Sequence, residues 1–229
     1  MASKGIVAVG DSITNACSVD LIVDRISPRS WAQCVSAATG EPLTVHAKSG
    51  APASEIRAML PEMIESYSLA LIYVGTNNVL SWRHWRREDL ASEMHAILNI
   101  MRACSDRVAV MQLPDTLGQS GAIFPYGPLL KRRVRKAQKI VREAAASMGA
   151  TLVTPPSLTC DRIWIDGVHP TSAGHRALAD ETVHALGLPE VPAARAEPRP
   201  DYASWRRRAR TRFILTQPIR GVGGWVLGR

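Results

Sequence analysis

Gly5-Ile6-Val7-Ala8-Val9-Gly10-Asp11-Ser12 is the stretch on which the fold turns. Its apolar run has no polar alternation and stops at a glycine and a polar turn, the pattern of a parallel strand buried on both faces. Such a strand delivers the next side chain to the carboxyl edge of an open α/β sheet, where these folds carry out their chemistry. Ser12 is therefore a candidate nucleophile. Taken alone, Gly-Asp-Ser is also ordinary turn and helix-cap material, so Ser12 or Asp11 capping a helix is the competing reading.

The same signal recurs downstream. Leu43 to Ala47 reads as a second strand broken by Ser49-Gly50-Ala51-Pro52. Leu69-Ala-Leu-Ile-Tyr-Val74 is apolar on both faces and runs into Gly75-Thr-Asn-Asn78. Val108 to Leu113 and the short Thr151 to Val153 supply two more strands. Between them lie helical patterns at 30–39, 53–66, 88–104, 128–148 and 171–186, with Gly40, Gly149 and Gly187 as stops. Parallel strands need crossover helices, and those helices cover both faces of the sheet. The expectation is a doubly wound, three-layer α/β/α domain over 1–188, with a five-stranded parallel sheet.

Nearly half of the 229 residues are hydrophobic, enough for a sizeable core. The chain reads as cytoplasmic, because the apolar run at its start is too short for a secretory leader and no segment is long enough to span a bilayer. Cys17, Cys34, Cys104 and Cys160 are widely spaced and form no C-x-x-C pair, which points to reduced, packed thiols. The net charge of +8 is concentrated at one end: residues 190–229 hold nine arginines and three acids, and the remainder holds 19 basic and 17 acidic residues. Residues 189–201 read as a Pro-rich linker, and 202–229 as a basic, aromatic tail.

Three polar breaks follow three successive strands, at Ser12, Gly50 and Asn77. A parallel sheet brings these ends to one edge, so backbone N–H groups at Ser12 and Gly50 and the Asn77 amide compose an oxyanion hole. For Gly50 by itself, a turn needing positive φ is the stronger reading. Of six histidines, only His169 sits on a loop with a carboxylate three residues before it, in Asp166-Gly-Val-His-Pro-Thr171. Asp166 there can fix the imidazole tautomer while the other ring nitrogen takes the Ser12 proton. A metal site from Asp166, His169 and His175 lacks a fourth ligand at telling spacing and is set aside.

These four blocks, Gly10-Asp11-Ser12-Ile13, Gly50, Gly75-Thr76-Asn77-Asn78 and Asp166-Gly-Val-His169-Pro170, resemble those of the SGNH hydrolases, the GDSL esterase and lipase family. The resemblance covers residues 5 to 186. It implies a flavodoxin-like sheet of order 2-1-3-4-5 and ester hydrolysis through an acyl-serine. It also implies Ser12 as nucleophile, His169 as base, Asp166 as its partner, and Ser12, Gly50 and Asn77 as oxyanion donors, with no metal or organic cofactor. The family's third block commonly ends in Asp, and Asn78 departs from it, which puts in question how firmly that loop is held.

The expected partner is a small-molecule ester. Its recognition is assigned to loops on the carboxyl edge, with Trp82, Trp85 and Arg83 as candidate rim residues; tryptophans packed beneath the following helix are an equal reading. Lys131-Arg-Arg-Val-Arg-Lys136 reads as the solvated face of a helix whose other side is apolar. In the tail, Tyr202, Trp205, Ala209 and Phe213 recur at helical spacing among arginines, a pattern suited to peripheral contact with an anionic membrane, to docking on the domain or to serving a partner. Nucleic-acid binding is not expected, since arginine charge alone gives only nonspecific attraction. The readings competing with an esterase are a noncatalytic flavodoxin-like ligand-binding module and a membrane-docking protein acting through its tail. Oligomeric state is not legible.

Overall fold

Along β1 (Ile6–Gly10) and β3 (Tyr67–Tyr73), successive side chains enter two different cores. Val7, Val9, Ala70 and Ile72 lie in one, and Ile6, Ala8, Leu69, Leu71 and Tyr73 in the other. Side chains alternate across a strand, so a strand apolar at every position must be covered on both sides. The computed structural model describes residues 4–15, 29–60, 65–81, 85–115, 126–157 and 168–192. Within it, β2 (Leu43–Ala47), β1, β3, β4 (Ser105–Met111) and β5 (Thr151–Val153) form one parallel sheet in the order β2-β1-β3-β4-β5.

Helices α1 (Trp31–Thr39) and α6 (Ser172–Leu186) cover the face of Ile6 and Leu71. The opposite face is covered by α2 (Ala53–Ala58), α4 (Arg87–Cys104) and α5 (Tyr126–Met148), with the short α3 (Thr76–Leu80) directly after β3. This is the three-layer architecture expected from the sequence and the strand order that the family resemblance implies. Ser30 opens α1 with a capping box in which its hydroxyl accepts from Gln33 N–H and Gln33 Oε1 accepts from Ser30 N–H.

The helical pattern at 53–66 is cut short. Helix α2 ends at Ala58, and the Met59 N–H closes the last turn on the carbonyls of Glu55 and Ile56. Pro61 in the sequence accounts for the stop: it has no N–H to give, and its ring would strike the carbonyl four residues back. Strands β3 and β4 also begin two to three residues earlier than their apolar cores, because Tyr67 and Ser105 already pair.

Cys34 and Cys104 are buried thiols. Among the described residues no helix is long and apolar enough to cross a membrane. The α6 side chain Arg176 donates to the carbonyls of Val191 and Pro192, which fixes the start of the Pro-rich segment on the α1/α6 layer. Residues 202–229, together with Trp82, Arg83, Asp166, Cys17 and Cys160, lie outside the described residues.

Candidate active site

Strand β1 ends at Gly10, where nothing larger fits. A Cβ there would stand 2.5 Å from the carbonyl oxygen of Tyr73 on β3 and would also strike the Thr14 side chain. The chain then turns on Asp11, whose backbone carbonyl accepts from Thr14 and Asn15 and whose Oδ1 accepts the Ile13 N–H at 3.0 Å. This tight turn presents Ser12, only 6% exposed, at the sheet edge. The expected strand end holds; Asp11 serves a turn, and neither Asp11 nor Ser12 caps a helix among the described residues.

His169 arrives from 157 residues away, and its Nε2 lies 2.9 Å from Ser12 Oγ. The imidazole is placed by the start of α6, where Thr171 is the cap and its hydroxyl accepts the Gly174 N–H at 3.2 Å. With Nδ1 protonated, Nε2 is an acceptor for the serine hydroxyl, the geometry required for a general base.

The loops after β2 and β3 meet the same turn. The Lys48 N–H donates to the carbonyl of Gly10 at 3.1 Å. Gly50 follows with φ of 79°, where a Cβ would meet nothing, so its left-handed turn and not crowding calls for glycine. Asn77 Nδ2 donates to the carbonyl of Ala51 at 3.1 Å and to Asp11 Oδ2 at 3.4 Å. Its neighbour Asn78, 4% exposed, accepts the Ala53 N–H on Oδ1 at 2.8 Å. An amide oxygen thus does at position 78 what a carboxylate oxygen would do, and the loop is tied to the start of α2.

Asp11 is 1% exposed, and burial pushes its carboxyl up to about 6, against the opposing pull of the Ile13 N–H, the His169 charge and the Thr76 hydroxyl. The Thr76 hydroxyl stands between this carboxylate and the Tyr73 hydroxyl, 3.3 Å from the latter. His175 is fully buried on α6, and among the described residues neither ring nitrogen has a hydrogen-bond partner. Burial, reinforced by His169, lowers its pKa to about 3. It is neutral at neutral pH.

Trp85 is half-buried against the α4/α5 core, with the Arg133 guanidinium 5.5 Å above its ring. Arg133, on α5 and itself 8% exposed, donates to the carbonyls of Val79 and Ser81 at 3.2 Å each, bracing the end of α3 behind Asn77. The run 131–136 reads in the sequence as a solvated face, but within it Arg133 turns inward and is buried. A helical wheel places it among the apolar positions Leu130, Val134 and Ala137, the one signal that it turns inward.

The GDSL-like Lipase/Acylhydrolase family model matches residues 8–177. No curated protein matches the chain. Among solved structures, Axe2, an acetylxylan esterase from Geobacillus stearothermophilus, is 17% identical with a TM-score of 0.60, covering 84% of this chain and 99% of its own. LAE5, an alpha/beta hydrolase enzyme from the metagenome of Lake Arreo, is 16% identical with a TM-score of 0.59, covering 82% and 97%. TesA is 23% identical with a TM-score of 0.58, covering 79% and 97%. At these identities the structures share the fold, and the matched family model carries the assignment. The chain belongs to the GDSL-like lipase/acylhydrolase family and is an ester hydrolase of that family.

Proposed function

We propose that Ser12, His169 and Asp166 form the catalytic triad of this hydrolase, and that the N–H groups of Ser12 and Gly50 and the Asn77 amide form its oxyanion hole. The observation that carries this reading is the 2.9 Å approach of His169 Nε2 to Ser12 Oγ. His169 takes the hydroxyl proton as Oγ bonds to the acyl carbon, and the carbonyl electrons move onto oxygen. The Asn77 hydrogen now directed at Asp11, over the longer of its two contacts, is the one available to that oxyanion. Collapse breaks the bond to the alcohol, which leaves with the proton from His169. Water, deprotonated by the same imidazole, then releases the acid and restores Ser12.

The substrate is a small carboxylic ester whose alcohol reaches the carboxyl edge, with Trp82, Arg83 and Trp85 assigned to its rim. Hydrolysis of a short p-nitrophenyl ester, with fluorophosphonate labelling and peptide mapping, tests the triad. Ser12→Ala and His169→Ala are expected to be folded, to lose label, and to lose at least about a thousandfold in kcat. Full activity of Ser12→Ala, or label at another serine, would overturn it.

A further inference from the structure

Helix α5 divides into two arcs. Arg133, Val134, Ala137, Gln138, Ile140, Val141, Ala144 and Ala145 are buried. Lys131, Arg132, Arg135, Lys136, Lys139 and Arg142 are all exposed. At 100° per residue those six cations fall within an arc of about 140°, and at 1.5 Å per residue they run along about 16 Å of one face. The only acid on α5 is Glu143, 3.5 Å from Lys139.

A solvated face needs no such excess of one sign. The helix carries seven cations and one acid, a net +6, whereas the rest of residues 1–189 carries twelve basic and sixteen acidic residues, a net −4. The catalytic domain is therefore electrically polarised, with its positive pole on one edge helix. Pro128, Lys131, Arg132, Arg135, Lys136 and Lys139 line an open groove of about 430 Å³ on this face. Leu129, one of two exposed large hydrophobics among the described residues, lies at its N-terminal end.

We infer that the outer face of α5 docks the enzyme on an anionic lipid bilayer. Lysine and arginine near a negatively charged leaflet each add attraction, and a leucine at the rim can enter the headgroup region. A single-stranded nucleic acid would call for exposed aromatic platforms, and none of the exposed residues from Lys131 to Arg142 is aromatic. The stripe starts at the end of α5 nearest the site, two residues before Arg133 braces α3. It lies on the layer opposite α6, where Arg176 fixes the start of the segment leading to the tail. The two basic elements can therefore be tested apart.

The test is co-sedimentation of the full chain with phosphatidylcholine vesicles, with and without phosphatidylglycerol. It compares wild type, an α5 variant carrying Lys131→Glu, Arg132→Glu, Arg135→Glu and Lys136→Glu, and a tail variant carrying Arg206→Glu, Arg207→Glu, Arg208→Glu and Arg210→Glu. Wild type is expected to bind only the anionic vesicles, less so as salt rises, and the α5 variant to bind at least about tenfold more weakly. Hydrolysis of a soluble ester by the α5 variant should stay within about twofold of wild type, which shows that it is folded; if it does not, the corresponding Gln variant carries the same expectation. Absence of wild-type binding, undiminished binding by the folded α5 variant, or retention of RNA in place of vesicles would overturn the proposal.

Discussion

The Asn77 side-chain amide is shared between the Ala51 carbonyl and the buried Asp11 carboxylate, so one residue of the Ser12 turn holds the proposed oxyanion donor. Asp11 Oδ1 meanwhile fixes the Ile13 N–H. Its burial sets a stability cost against this positioning.

Asp11→Asn separates the two effects. The variant can keep Oδ1 on the Ile13 N–H, but it then turns an NH2 toward the Asn77 NH2. We expect kcat to fall by about tenfold or more with KM little changed, and the loss to vanish in an Asn77→Ala background, since the effect passes through that amide.

The pH dependence of stability follows from the same carboxyl. Its folded pKa, about 6, lies above its ordinary value of 3.8, so the folded state holds the proton more tightly. Asp11 therefore contributes stability at acid pH that is lost as pH rises from about 4 through 6, amounting to about 3 kcal/mol. The Tm of Asp11→Asn relative to wild type should improve on going from pH 5 to pH 8, as read by calorimetry; a pH-independent difference would exclude this role.

His175 acts with the opposite sign. Its folded pKa of about 3 lies below the ordinary 6.5, so the unfolded chain binds the proton first and stability falls as pH drops below about 6.5. His175→Leu removes that proton site and a buried ring without hydrogen-bond partners among the described residues. We expect it to be at least as stable as wild type at pH 7 and about 2 kcal/mol more stable at pH 5, by urea unfolding.

Asn78 needs an oxygen more than a charge. Asn78→Asp retains the acceptor for the Ala53 N–H and should keep most activity. Asn78→Ala leaves that buried N–H unsatisfied and should cost about 1–3 kcal/mol in denaturant unfolding.

Arg133→Met keeps the apolar stem of the side chain and removes its donors to Val79 and Ser81. With the end of α3 no longer braced, kcat for a short ester should fall by several-fold, and limited proteolysis near residue 81 should speed up; unchanged values of both would show that α3 is held by packing alone.

Most of the sheet is legible in the sequence because its signals are local. Residues 5–9 and 69–74 are apolar without alternation, so each must be a strand covered on both faces, and the polar breaks after them must share an edge. Gly10, Gly50, Asn77 and His169 announce themselves by their place in that punctuation. Pro61 was equally visible as a helix stop, but the apolar stripe at Ile56, Met59, Leu60, Met63 and Ile64 outweighs it on periodicity alone.

What the chain's order cannot state is which polar groups meet once helices pack. The approach of His169 to Ser12 spans 157 residues, the Arg133 brace spans 54, and the Asn78 bond to Ala53 spans 25. Each depends on how a helix or loop seats on a finished sheet. The burial that raises the Asp11 carboxyl and keeps His175 neutral is likewise a property of the assembled core, because desolvation arises only when distant segments exclude water together. Sequence by itself determined the layers, the edge and the residue types of the site; tertiary structure decided their hydrogen bonds and their charges.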